Sequence, residues 1–276
     1  MQKVDLHIHS CFSDGDLTPK QLIEFLEEKN YLLTAITDHD TIEGYKNITS
    51  SLPNYKIKVL SGVEFSSMIY GEDVHLLGYG FDVKNKRVNE LLEFNRIKRL
   101  ERLDGFIEKF KEIGIRLEKN KLLSKVAQPV GRPHIAKALV DGGFCDNYEN
   151  AFRKYLLKKN PTYVKKVAAS SCDVIEAINK ANGVSVVAHP FRILDKRILP
   201  KLIDSGIMGI ETYYASHSKR NIRYFSEITQ KYGLVDTGGT DFHRFLNPRL
   251  KNNFGGFKLP NGVMEKLLNC LKMIYS

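Results

Sequence analysis

Two histidines one residue apart, followed by an acidic turn, are the first residues in this chain able to do chemistry. They lie in DLHIHSCFSDGDLTP (5–19), which holds His7, His9 and Asp14. On a β-strand, residues i and i+2 leave the same face, so His7 and His9 point together. Paired imidazoles with a nearby carboxylate are a donor set for a divalent metal. The pattern recurs along the chain. TDHDT (37–41) sets His39 between Asp38 and Asp40, GVEFS (62–66) supplies Glu64, and DVHLLGY (73–79) supplies His75. VVAHP (186–190) ends an apolar run on His189, and GGTDFH (238–243) offers Asp241 and His243, again at i and i+2. This set has imidazoles and carboxylates but no thiolate, which suits Zn²⁺, Mn²⁺ or Fe²⁺ better than Mg²⁺ or Ca²⁺. Nine donors exceed one tetrahedral shell, so two or three ions are expected, with Glu64 and Asp241 as bridges. Asp38 and Asp40 are expected either to orient imidazoles or to cap a helix.

The elements that must position these groups alternate in type. VDLHI (4–8) reads as a strand. TPKQLIEFLEEK (18–29) reads as a helix, with Thr18 as N-cap, Pro19 at the first helical position and Gln21 completing a capping box. Further strands are expected at 32–37, 56–64, 73–81, 183–189, 206–211 and 233–239, and helices near 173–181, 198–204 and 218–232. This βαβα rhythm implies an α/β fold with a parallel sheet, open or closed into a barrel. Almost every strand then delivers a ligand where it leaves the sheet, and the C-terminal edge of a closed parallel barrel is where active sites are built.

Residues 84–165 break the rhythm. They are helix-rich, and 84–125 carry thirteen Lys/Arg against seven Asp/Glu. A basic helical insertion is expected here, between barrel segments 1–83 and 166–276. In NRIKRLER (95–102), Arg96, Arg99 and Arg102 recur every three residues and share a broad helix face. Guanidinium forks of this kind suit a phosphate that is held rather than cleaved.

The totals bound the rest. A chain of 276 residues, 42% hydrophobic and 27% charged, is long enough to bury a sizeable core. No run approaches the length of a membrane span, and the opening MQKVDLHIHS has no apolar signal region. Cys11, Cys145, Cys172 and Cys270 are scattered without a Cys-x-x-Cys pair, which fits reduced thiols and a cytoplasmic location. The net charge of +10 favours anionic partners. No protein partner is legible.

With these motifs the chain resembles the PHP (polymerase and histidinol phosphatase) superfamily of metal-dependent phosphoesterases, over nearly its whole length. DLHIHSCFSDGDLTP, AITDHDTIEGY, GVEFSS with DVHLLGY, GRPHIAKALVDGGF, VVAHP and TGGTDFH carry the resemblance. It implies a distorted (β/α)7 barrel with a small helical insertion serving as specificity cap. It implies metal binding by His7, His9, Asp14, His39, Glu64, His75, His189, Asp241 and His243. A metal-bound water would be the nucleophile. The finer resemblance is to the branch of 3',5'-nucleoside bisphosphate phosphatases and 5'-to-3' exoribonucleases, although Thr240 stands where that branch often has Ser. The substrate implied is a nucleotide or short RNA, contacted by Arg99, Arg132 and His134, with Arg96 and Arg102 as further candidates. His217 and Glu211 are expected near the rim, where either would position substrate or protonate the leaving oxygen. Two alternatives remain open: a histidinol-phosphatase-type phosphomonoesterase, and a catalytically silent metal-bound module that binds RNA.

Overall fold

The computed structural model describes residues 1–124, 129–245 and 254–275. Strand β1 (Val4–Ile8) pairs parallel with β2 (Leu33–Ile36), which pairs parallel with β3 (Lys58–Leu60). A second sheet holds β4 (Gly62–Ile69), β5 (Glu72–Tyr79), β6 (Ala169–Ser170), β7 (Val184–Val187), β8 (Gly209–Tyr214) and β9 (Val235–Gly239), in the order β6-β4-β5-β7-β8-β9.

Single bridges join the two sheets at both seams. Ile8 bridges Phe242, with Asp241 N–H donating to His7 C=O and His9 N–H to Phe242 C=O, both at 2.8 Å. His39 bridges Glu64, where Asp40 N–H donates to Glu64 C=O at 3.0 Å. These isolated bridges lie just past the ends of β9 and β2 and set the two sheets edge to edge at both seams. Both seams lie at residues of the candidate metal motifs.

Two expectations change. The run 56–64 is not one strand: β3 ends at Leu60 and β4 starts at Gly62, in different sheets. A Cβ on Gly62 would lie 2.5 Å from Ile36 C=O, so only glycine allows this approach. The sheet is also mixed rather than parallel throughout. Strand β5 runs antiparallel to both β4 and β7. Tyr70 and Gly71 form the two-residue turn between β4 and β5, with φ of 51° and 79°, the backbone twist a tight hairpin needs.

The helices are α1 (Pro19–Glu28), α2 (Glu43–Ile48), α3 (Lys86–Glu112), α4 (Lys119–Leu123), α5 (Arg132–Asp141), α6 (Tyr148–Ala151), α7 (Ser171–Lys180), α8 (Ile198–Asp204), α9 (Lys219–Tyr232) and α10 (Val263–Tyr275). The capping box read at Thr18 and Gln21 starts α1. Helix α3 belongs to two cores. Its Val88, Leu91 and Leu92 pack with barrel residues such as Phe65 and Ile178. Its Leu103, Phe106 and Phe110 pack with Leu122, Ile135, Leu139 and Leu156 of the insertion. Residues 125–128, within the expected insertion, and 246–253, within the second barrel segment, lie outside the described residues. No described helix is long and apolar enough to cross a membrane.

Candidate active site

All nine side chains expected as metal ligands meet at one end of the barrel. Ligand atoms fall within 4.8 Å of one another in three overlapping groups: His9, Asp14, His39 and His243; His7, His9, Glu64 and Asp241; and His39, Glu64 and His75. Glu64 lies at the centre. Its Oε2 is 3.2 Å from His7 Nε2 and 3.1 Å from both His9 Nε2 and His39 Nδ1. Its Oε1 is 2.7 Å from His75 Nδ1 and 2.9 Å from His189 Nε2. Asp241 Oδ1 lies 3.3 Å from His7 Nε2 and 3.1 Å from His9 Nε2, and Asp14 Oδ1 lies 3.2 Å from His243 Nε2.

Strand ends and strained turns aim these groups. His189 (φ 30°), Asp241 (φ 54°) and Asp40 (φ 51°) all sit in the left-handed region, which costs a non-glycine residue on the order of 1 kcal/mol or more. Glu211, on β8, holds two ligands at once. Its Oε1 is 2.8 Å from His7 Nδ1, and its Oε2 accepts the His189 backbone N–H at 2.6 Å. Glu211 is fully buried and bonded to two of the candidate ligands, so it stands behind them and does not reach the rim expected from the sequence. His217 is also buried; its Nδ1 pairs with Thr212 C=O, and its ring packs against Phe191, Tyr214 and Phe225.

The donor atoms fit metal ions. His7 Nε2, His9 Nε2, His39 Nδ1, Asp14 Oδ1 and Glu64 Oε2 are buried and have no hydrogen-bond partner, although imidazole nitrogens and carboxylate oxygens lie 3.1–3.2 Å apart. Buried lone pairs this close together, without hydrogen-bond partners, are the arrangement expected of ligands to a common cation. Burial would raise the carboxyl pKa of Glu64, Asp14 and Asp241, but the surrounding imidazoles hold all three well below the usual range. Burial would lower His9, yet Asp241 and Glu64 raise it to about 10. At His39 burial prevails and the value drops to about 3.

Above the ligands a cavity of about 650 Å³ opens between barrel and insertion. Seven cationic side chains line it, and their partners separate them. Lys98, Arg99 and Lys166 are paired within 2.7 Å with Glu101, Asp40 and Asp73. Arg244 lies 3.9 Å from Asp16. Arg102 donates from Nε to Val164 C=O, Arg132 from Nη1 to Leu156 C=O, and Arg192 from Nη2 to the Tyr214 hydroxyl. Arg102 keeps a buried Nη2 without a partner, and burial together with the charge of Arg132 lowers its pKa to about 10.

Several expected roles shift. Arg96 is half-buried, paired twice with Glu93 and absent from the cavity lining. His134 does not line the cavity either. Its Nδ1 accepts from Gly131 N–H and its Nε2 donates to Ser13 C=O, so it ties the start of α5 to the Asp14 loop. Neither Asp38 nor Asp40 hydrogen-bonds an imidazole directly among the described residues, although Ser13 Oγ, which donates to Asp38, lies 3.5 Å from His9 Nδ1. Asp38 accepts from Ser10 N–H and from the hydroxyls of Ser10 and Ser13. Asp40 accepts from Ser66 N–H, Asn95 and Arg99, tying α3 to the barrel. Nor does either cap α2, whose N-cap is Ile42. The sequence reading missed Lys166, Arg192, Arg244 and Tyr214. Only Arg192 carried a signal, three residues beyond His189.

A model of the PHP domain matches residues 5–182. A 3',5'-nucleoside bisphosphate phosphatase of Chromobacterium violaceum is 33% identical over 250 residues, 88% of each chain. A 5'-3' exoribonuclease of Haemophilus influenzae is 29% identical over 247 residues, 88% of this chain and 90% of the relative. A solved structure from Chromobacterium violaceum, described as an amidohydrolase with bound sulfate and no metal, superposes with a TM-score of 0.85 at 30% identity, covering 97% of this chain and 96% of that one.

Proposed function

This chain belongs to the PHP domain family and is a metal-dependent phosphoesterase, and we propose that its substrates are 3',5'-bisphosphonucleotides, cleaved at the 3'-phosphate, or short RNA bearing a 5'-phosphate. One observation carries this reading. The cavity joins a floor that presents Asp14, His39, Glu64, His75, His189, Asp241 and His243, seven of the nine candidate ligands, to a wall where Arg102 and Arg132 have no carboxylate partner among the described residues. A simple monoester needs only the floor. A substrate with a second phosphate uses both. The names of the relatives, a bisphosphate phosphatase and an exoribonuclease, point the same way.

In this reading His7, His9, Asp14, His39, Glu64, His75, His189, Asp241 and His243 hold two or three divalent ions, Mn²⁺, Zn²⁺ or Fe²⁺. When bound, such ions polarise the phosphoryl group and make a bound water nucleophilic near neutral pH. Glu211 keeps His7 and His189 aimed at the centre. Arg102 and Arg132 grip the retained 5'-phosphate, with Arg99 stiffening that wall through Asp40. The insertion acts as the specificity cap over a barrel formed by segments 1–83 and 166–276. All four cysteines are free, in keeping with a reducing cytoplasm.

The test is to load the protein with Mn²⁺ and compare hydrolysis of 3'-phosphoadenosine 5'-phosphate, a 5'-phosphorylated oligoribonucleotide, histidinol phosphate and an aryl phosphate. Two charge-assisted contacts of roughly 1.5–3 kcal/mol each predict at least ~100-fold higher kcat/KM on one of the first two than on the aryl phosphate. Best turnover of histidinol phosphate would overturn this reading in favour of the phosphomonoesterase alternative. Tight oligonucleotide binding without hydrolysis would favour the silent module.

A further inference from the structure

Arg192 stands apart from the other cations of the cavity. It follows His189, Pro190 and Phe191 on a short 3-10 turn at the barrel's own rim, whereas Arg102 and Arg132 belong to the insertion. Its side chain is 52% exposed, and its nearest carboxylate oxygen, Asp241 Oδ2, is 3.8 Å away. Its one hydrogen bond among the described residues is 3.0 Å long, from Nη2 to the Tyr214 hydroxyl. That hydroxyl in turn donates to Asp241 Oδ2, also at 3.0 Å, while Asp241 Oδ1 faces His7 and His9. The guanidinium rests over the rings of Phe191 and Tyr214, 5.7 Å from each centroid. Those rings fix its plane and leave most of its five N–H groups free to reach an anion in the cavity.

We propose that Arg192 grips the phosphoryl group being cleaved, not the one retained, placed over the metal ligands by Tyr214 and Phe191. This rests on the phosphoesterase reading and adds a residue to it. Hydrolysis forms a P–O bond to a water oxygen and breaks the P–O bond to the leaving hydroxyl, which gains a proton. Arg192 alters none of that balance. It holds non-bridging oxygens as charge redistributes among them, a contribution that grows toward the transition state. The planar fork matches two phosphoryl oxygens at once, which an ammonium cannot do.

The experiment compares wild type, Arg192→Met, Arg192→Lys and Arg132→Met, all Mn²⁺-loaded, on the bisphosphonucleotide and on an aryl phosphate. Metal content, Tm and calorimetric binding of inorganic phosphate are measured on the same samples. Arg192→Met is expected to lower kcat roughly 10²–10³-fold on both substrates with metal content unchanged, and to weaken inorganic phosphate at least ~10-fold. Arg192→Lys is expected to recover part of the loss. Arg132→Met is expected to lower kcat/KM on the bisphosphate at least ~10-fold more than on the aryl phosphate, chiefly through KM. The proposal falls if Arg192→Met keeps kcat within about threefold of wild type. It falls if the loss is confined to the bisphosphate, or if metal is lost in step with activity, since Arg192 would then act only through Asp241. Should wild type hydrolyse no phosphate ester, the functional reading fails separately. Phosphate binding still decides Arg192: unchanged affinity in Arg192→Met refutes it.

Discussion

The floor of the cavity and the wall supplied by the insertion face one space but are held by different means. On the floor, ligands leave strand ends and strained turns, and Glu64 alone lies within 3.2 Å of five imidazoles. Each group is fixed from several sides, so none can shift without disturbing its neighbours. On the wall, Arg102 and Arg132 rise from α3 and α5, lean on carbonyl oxygens and pack over Phe106, Tyr163 and Phe152. The wall has its own apolar core, shares the first turns of α3 with the barrel core, and is tied to the barrel by polar links that include Asn95 and Arg99 to Asp40 and His134 to Ser13. The contrast teaches a division of labour. Chemistry that depends on placement within fractions of an ångström is built where the backbone is most constrained. The proposed recognition groups stand instead on helices of the insertion.

The most severe way to break this contrast is at its centre. Glu64→Gln keeps the shape of the side chain but removes the charge that five imidazoles surround. It should lower kcat/KM at least ~10³-fold and reduce bound metal, well beyond the ~10–100-fold typical of a group that only supports a ligand. Steady-state kinetics and metal analysis on one sample check both parts. Such a supporting group is Glu211, and Glu211→Gln should weaken Mn²⁺ within that 10–100-fold range while sparing the fold. An unchanged Mn²⁺ titration would show that the hydrogen bonds to His7 and His189 do not aim those ligands.

Acid tests the floor without mutation. His9, held at about 10 by Asp241 and Glu64, must release its proton before it can ligate, so protons compete with metal. Mn²⁺ at a hundred times its Kd should stabilise the fold by about 2.7 kcal/mol. That gain, read as a Mn²⁺-dependent rise in Tm, should shrink as the pH falls from about 8 to about 6. A gain that grows on acidification would contradict the ligand assignment. The smallest effects belong to the wall and sharpen the contrast instead. Arg102→Met should raise KM for a bisphosphonucleotide roughly tenfold and leave an aryl phosphate unchanged. Arg96→Ala, which removes only an exposed pair with Glu93, should change neither KM by more than about twofold. Equal effects from the two would erase the distinction between an arginine that lines the cavity and one that does not.

Much of the floor was legible because strand periodicity constrains it. His7 and His9 at i and i+2, and apolar runs ending on Glu64 or His189, announce same-face ligands at strand exits before any coordinates exist. The wall was less legible. Arg96, Arg99 and Arg102 look alike at a spacing of three, yet the first is paired with Glu93 away from the cavity lining, the second is paired with Asp40, and the third lines the cavity. Helical spacing gives a shared face about a turn wide but not which part of it turns inward. His134 likewise looked like a substrate contact until both its nitrogens proved to be bonded to backbone.

What this sequence determined by itself is a set of imidazoles and carboxylates and their delivery to strand ends, since the two-residue period of a strand is local physics. Only the tertiary structure decided that β5 reverses direction to bring in His75, that Glu211 is buried behind the ligands, and which arginines lack a carboxylate partner. Those outcomes depend on contacts between residues more than two hundred positions apart, such as His7 with Glu211, and no local pattern encodes a partner at that distance.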